Sequence, residues 1–137
     1  MIREGGMSIP FRFAAGEAGS AFLAALRDDR RILGARCRGC GRVVVPARAF
    51  CGRCGGTDLA FEDVGPEGTL IAWTQRPGHG VFGLIRLDGG DGALLHRLLS
   101  PLPALVAGVR LRPRFAAERR GDIRDIEGFE VVNGSDA

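Results

Sequence analysis

The chain has 137 residues, 45% apolar and 26% charged, which suits a soluble protein with one buried core and room for a small stapled module. No apolar run approaches the roughly 18 residues that a membrane-spanning helix needs. The formal charge is +3 and all 19 basic residues are arginine, which excludes Schiff-base lysine chemistry and the lysine of a Walker-type phosphate loop.

Residues 1–15 are polar and glycine-containing with no period, and they read as an arm. They carry no apolar segment of the kind a secretion signal needs, so a cytoplasmic location is expected. From Gly16 to about Arg31 the pattern becomes helical, with Ser20 placed to cap. Phe22, Leu23 and Leu26 form a narrow apolar stripe on this helix. A single short helix cannot bury such a stripe alone, so it packs on its own domain or serves a partner.

Residues 32–62 hold the most specific signal. Cys37-Arg38-Gly39-Cys40-Gly41 and Cys51-Gly52-Arg53-Cys54-Gly55 are matching knuckles, and the chain has no other cysteine. Each turn aims two thiolates at one point, and two turns a short loop apart complete a tetrahedron. The glycine after each second cysteine supplies positive φ and lets backbone N–H groups point at sulfur. In a non-secreted chain this pattern reads as metal rather than disulfide. Four thiolates alone do not choose between structural zinc and the iron of an electron carrier; the length and arginine content of the chain favour one structural Zn²⁺, coupled to folding. With the thiolates ionised and zinc bound, the holo charge falls to about +1.

After Gly65-Pro66-Glu67-Gly68 the pattern turns to short strands separated by glycine and proline. Candidate strands cover 69–75, 81–87, 93–99, 109–115 and 123–132, and five strands without a long helix between them indicate a small barrel over residues 63–132. Residues 133–137 read as a frayed tail. Trp73 either faces a groove or fills the barrel. Arg76 and His79 flank the following turn, and Arg110, Arg112 and Arg114 alternate along one strand, as phosphate contacts or as its solvent face. His96 reads as a polar-edge residue. Asp28-Asp29 and Asp122/Asp125 sit among arginines, which favours solvated ion pairs. With all thiols committed to metal and a filled coordination sphere, no catalytic residue is assigned.

The order of these elements resembles the DUF35 family. The resemblance rests on the helix, Arg36-Cys37 through Cys40-Gly41, Pro46-Ala47-Arg48, Cys51 through Cys54, Gly65 through Thr69, Ala72-Trp73-Thr74, Ile85 through Asp88 and Gly108 through Leu111. It spans roughly residues 18–127. It implies a mainly β fold: an N-terminal helix, a rubredoxin-like zinc ribbon and a five-stranded OB-fold barrel. It further implies a non-catalytic accessory subunit of a thiolase-fold enzyme (thiolase, acyltransferase or lipid-transfer-protein-like aldolase) that makes or cleaves C–C bonds in acyl-CoA thioesters. Two copies of each subunit, and in some relatives a hot-dog-fold hydratase, would form the complex. Trp73, Arg76, His79, Arg110 and Arg112 become candidates for CoA or partner contact, and Phe22, Leu23 and Leu26 for a partner-facing helix. The rival reading is a single-stranded nucleic-acid-binding ribbon and barrel. The low aromatic content of 7% and the lack of tyrosine weigh against it.

Overall fold

The computed structural model describes residues 16–132. The arm at 1–15 and the tail at 133–137 lie outside the described residues. Helix α1 spans Gly16–Asp29 and buries Ala18, Phe22, Ala25 and Leu26. Ser20 therefore lies one turn inside the helix and does not cap it, because the helix begins at the positive-φ Gly16. At its other end Arg30 takes the left-handed conformation, with φ 53°, and the Arg119 guanidinium donates to the Arg27 carbonyl at 2.8 Å. A cation on the unsatisfied carbonyls of a helix C-terminus opposes the negative end of the helix dipole.

A three-stranded antiparallel sheet follows, with β1 (Ile32–Cys37) between β2 (Val43–Val44) and β3 (Leu59–Val64). Its central strand is almost wholly buried, with Ile32 through Ala35 and Cys37 inside. The remaining strands are β4 (Gly68–Arg76), β5 (Gly80–Leu87), β6 (Leu94–Leu98), β7 (Arg110–Phe115) and β8 (Ile126–Val131). They close into a barrel in the order β4-β5-β6-β8-β7, with β6 and β8 parallel and every other neighbour antiparallel. That order, with a Greek-key return and one parallel seam, is the topology of an OB-fold. The alternating burial of β5 and β6 follows the two-residue strand period, so Ile85, Leu87, Leu94 and Leu98 point inward. The stretch 123–132, expected as one strand, begins with a 3₁₀ turn at Ile123–Asp125 before β8.

Helix, ribbon sheet and barrel share one apolar cluster that runs from Phe22, Leu26 and Val43 to Leu70, Leu111 and Phe129. Phe22 and Leu26 are thus spent on the chain's own core, and Leu23 packs against it. This corrects the expectation of a partner-facing helix: the stripe covers the ribbon sheet, and a partner finds little of it left. Ribbon and barrel are clasped by a reciprocal pair of bonds. The Asp91 N–H donates to the Val43 carbonyl at 2.9 Å, and the Val43 N–H to the Asp91 carboxylate at 2.9 Å.

Gly68 opens β4 where the chain enters the barrel. A Cβ there would lie 2.6 Å from the Arg86 carbonyl oxygen and 3.0 Å from Ile85 Cγ2. The first of these is backbone held in a ladder and cannot rotate away. Gly68→Ala is therefore expected to cost about 1–3 kcal/mol through local overpacking. Denaturant melts of the two proteins check it, and equal midpoints would contradict the packing argument.

Candidate metal centre and the outer face of the barrel

The two knuckles are built alike. In each, the first cysteine's N–H donates to the carbonyl five residues on (Cys37 to Arg42, Cys51 to Gly56, both 2.8 Å). The N–H four residues on returns to the first cysteine's carbonyl (Gly41 to Cys37 at 2.7 Å, Gly55 to Cys51 at 2.8 Å). Gly41 and Gly55 both have positive φ, 80° and 74°, as the spacing required. All four sulfurs lie within 4.8 Å of one another, and Cys37–Cys54 and Cys40–Cys51 approach to 3.6 Å. A regular tetrahedron with Zn–S bonds of about 2.3 Å has edges of about 3.8 Å, so the donor set fits Zn²⁺.

Backbone electrostatics already favour thiolates. Donation from the N–H groups of Cys54 and Arg53 outweighs burial and pulls Cys51 down to about 6. Cys37 is lowered likewise, chiefly by the N–H of Cys40. Cys54 is drawn down by the Gly56 N–H, but the neighbouring sulfurs of Cys37 and Cys40 push it up to about 11. Four sulfurs this close do not all ionise unaided; a divalent cation supplies the missing charge. Cys37 and Cys51 are buried while Cys40 and Cys54 face solvent. A Cβ on Gly56 would press on both the Cys37 and Cys54 sulfurs, at 3.2 and 3.3 Å.

Trp73 does not fill the barrel. It is 40% exposed, in a surface cleft of about 270 Å³ with Ala72, Thr74, Phe82, Leu84 and Leu95. The register explains the patch: Ala72 pairs with Leu84, and Leu84 with Leu95, so one row crosses three strands. Leu84 and Leu95 are 40% and 62% exposed. Phe82 and Leu95 also line a second, adjoining cleft of about 500 Å³ that runs past His96 to Ile123. The Arg97 guanidinium sits 5.4 Å over the Phe82 ring at its edge.

The other sequence candidates do not all join this face. Arg76 and His79 sit at the exposed end of the β4–β5 hairpin, in the same hairpin as Trp73. Arg110 and Arg112 lie on β7, which pairs with β4 at its opposite end, at Gly68 and Thr69. Each is held by a carboxylate of the barrel: Arg110 by Asp88 at 2.9 Å and Arg112 by Glu130 at 3.2 Å, with Arg114 on the same Glu130 at 2.7 Å. The Arg110 contact holds the Asp88 carboxyl below its ordinary value.

His96 is engaged on both ring nitrogens. Its Nδ1 accepts from the Arg97 N–H at 2.8 Å, so its Nε2–H faces the Ile123 carbonyl at 3.3 Å. The ring stands edge-on to Phe129 at 5.5 Å, and burial lowers its pKa. This is a neutral, structural imidazole.

Asp125 departs from the solvated ion pair expected of it. It is 3% exposed and accepts from the N–H groups of Arg120 (2.8 Å), Gly121 (2.7 Å) and Asp122 (3.2 Å). Burial pushes its carboxyl up, but the three donors together prevail and hold it below its ordinary value; Asp122, paired with Arg124, falls to about 2. Both carboxyls are depressed in the folded chain. Their stabilisation is complete above their ordinary value near 3.8 and is lost as pH falls from there through their folded values. Asp125→Asn is expected to cost about 1–3 kcal/mol at pH 7, since an amide presents a donor to three donors. It should also flatten the acid limb of the stability profile below about pH 4. Melting across pH 2–7 tests both, and parallel profiles would refute the assignment.

Leu84 and Leu95 were not singled out by sequence reasoning, which also read Asp125 as a solvated ion pair and not as a buried acceptor. For the leucines a signal existed: Leu94-Leu95 and Leu98-Leu99 place apolar side chains on both faces of a strand, which marks a covered outer face as well as an inner one.

Comparison with known proteins agrees with this architecture. Residues 24–60 match the model of the ChsH2 rubredoxin-like zinc ribbon domain. No curated protein matches the chain. Among solved structures, a chain of the Ltp2-ChsH2(DUF35) aldolase is 20% identical, with 88% of this chain and 98% of that chain covered, at a TM-score of 0.62. A DUF35 protein of unknown function from Sulfolobus solfataricus is 21% identical, with 85% and 87% covered, at a TM-score of 0.65. At these identities the likeness is one of fold. The chain thus carries a match to the ChsH2-type zinc ribbon over residues 24–60 and shares with these DUF35 structures the fold of a ribbon on a closed five-stranded barrel.

Proposed function

We propose that the chain is a non-catalytic accessory subunit that binds a thiolase-fold enzyme and helps it hold acyl-CoA thioesters. The observation that carries this reading is the outer face of β4–β6. A row of aliphatic and aromatic side chains, with Leu95 at 62% exposure, continues through two joined clefts. Contiguous apolar surface of this kind marks an interaction site. Its aliphatic members, Leu84 and Leu95, suit a protein partner better than nucleic acid, whose bases stack on rings. The four sulfurs meet in one cluster, which commits them to metal, and His96 is locked by backbone, so the chain's own groups serve structure.

A fold shared with a subunit of the Ltp2-ChsH2(DUF35) aldolase supports the accessory role. The reaction assigned to the complex is the making or breaking of a C–C bond in an acyl-CoA, with two copies of each subunit and a hot-dog-fold hydratase as a further member. Zinc staples the ribbon and takes no part in the chemistry. Trp73, Arg76 and His79, in one hairpin, border the partner face and are the candidates for contact with partner or thioester. Co-expression with a thiolase-fold protein, chosen from its gene neighbourhood, tests the reading. A stable complex whose activity needs both chains is the expected result. A catalytic subunit with full activity and stability alone would overturn it.

A further inference from the structure

A second surface, on the opposite kind of chemistry, lies where the ribbon meets the barrel. A cleft of about 490 Å³ is lined by Arg42, Arg48 and Arg53 from the ribbon and by Asp91 from the barrel, with Val44 and Val45 in its wall. Eight of the described arginines are already engaged by carboxylates. Arg27, Arg31, Arg36, Arg38, Arg110, Arg112, Arg114 and Arg124 each hold a carboxylate within 4 Å. Arg42, Arg48 and Arg53 have no carboxylate partner among the described residues, although they line one cleft. The carboxylate of Asp91 is tied to the Val43 N–H, which turns it toward the ribbon backbone.

Three guanidiniums against one carboxylate leave the cleft with a charge of about +2, which a phosphate monoester, at about −1.5 to −2 near neutral pH, balances. A monocarboxylate leaves the site half compensated, and planar guanidinium forks match phosphate oxygens two at a time. We infer that this cleft binds a phosphate monoester. CoA carries such a group on its ribose, apart from its diphosphate. In naming CoA as the bearer, the inference rests on the acyl-CoA reading above; the phosphate site itself does not. It also gives Arg48 of the Pro46-Ala47-Arg48 motif a task that the partner face leaves open.

Arg53 lies within a metal knuckle, so the test falls on Arg48 and Arg42. Titration calorimetry compares CoA with 3′-dephospho-CoA on the full zinc-loaded chain and on its Arg48→Ala variant. The wild type is expected to bind CoA about tenfold more tightly than the dephospho form, the worth of one charge-assisted contact, and Arg48→Ala to erase that preference. Metal content and melting should stay unchanged. Arg42→Gln is the second variant, with the same expectation, should Arg48→Ala fold poorly. Equal affinity for the two ligands in the wild type, binding of neither, or a preference that survives both substitutions would overturn the site. None of these outcomes touches the partner face, whose failure shows instead as loss of the complex.

Discussion

Cys51→Ser should strip the protein of its metal and of its ribbon. Cys51 is fully buried, its N–H closes the second knuckle, and two N–H groups already bias it toward thiolate. A serine hydroxyl at that point is a poor ligand and leaves three sulfurs with an incomplete sphere. Structural zinc contributes about 10–16 kcal/mol to the folding of isolated zinc-finger peptides, against a total of about 5–15 kcal/mol for an ordinary domain. The ribbon between Cys37 and Leu59 has a two-residue strand and little apolar burial of its own, so nothing in it replaces the metal. Metal analysis should read one zinc per wild-type chain and close to none in the variant. Protease should then cut between residues 38 and 58. Because Ile32, Val43 and Val64 share a cluster with Leu70 and Phe129, the barrel melt should also fall in temperature. A variant that keeps its metal and its melting curve would refute the staple. A red wild-type protein with visible absorbance would replace zinc by iron.

The second large effect concerns the partner. Leu95→Arg places a charge where the two clefts of the outer face meet, with Leu84 as its cross-strand neighbour. Leu95 is exposed enough that the isolated chain should melt within about 0.5 kcal/mol of the wild type. A central apolar contact in a protein interface, once replaced by a charge, costs about 2–4 kcal/mol, so the complex should weaken by a factor of about 30 to 1,000. Val106 is equally open, at 60%, but lies outside both clefts. Val106→Arg should leave assembly intact. Pull-down and sedimentation of the three proteins with the thiolase-fold subunit decide the matter. Loss of the complex in both variants, or in neither, would move the partner away from β4–β6.

Much of this architecture was legible in the sequence because its signals are local. A Cys-x-x-Cys-Gly turn contains its own geometry, and both knuckles folded as their spacing required. Strand positions were marked by two-residue alternation and by glycine and proline breaks. What depended on distant neighbours was harder. Phe22 and Leu26 make the same stripe whether they cover their own ribbon or a partner, and the choice lies with strands far along the chain. Trp73 pairs with Gly83, whose Cβ direction meets the core, yet β4 is exposed on both faces from Ile71 to Arg76, which alternation does not reveal. Asp125 looked like a surface acid because its three donors come from the loop at Arg120–Asp122, a turn that periodicity does not describe. The arginine cleft brings residues of both knuckles' flanks to Asp91, some forty positions on, which no spacing rule anticipates.

The seam between β6 and β8 has a consequence for how the barrel behaves as a shell. There the two strands meet through a single register pair, Leu98 with Phe129. The Leu99 N–H extends it to the Phe129 carbonyl, and the Ser100 hydroxyl stands in as acceptor for the Val131 N–H. Gly128 has no side chain because one would collide with Leu99. The barrel is therefore two leaves, a broad one of β4–β6 and a narrow one of β7–β8, joined by short seams on both sides: one register pair at β6–β8 and two at β4–β7. The β6–β8 seam, the shorter of the two, is where local opening is expected to begin, and the outer row lies wholly on the broad leaf.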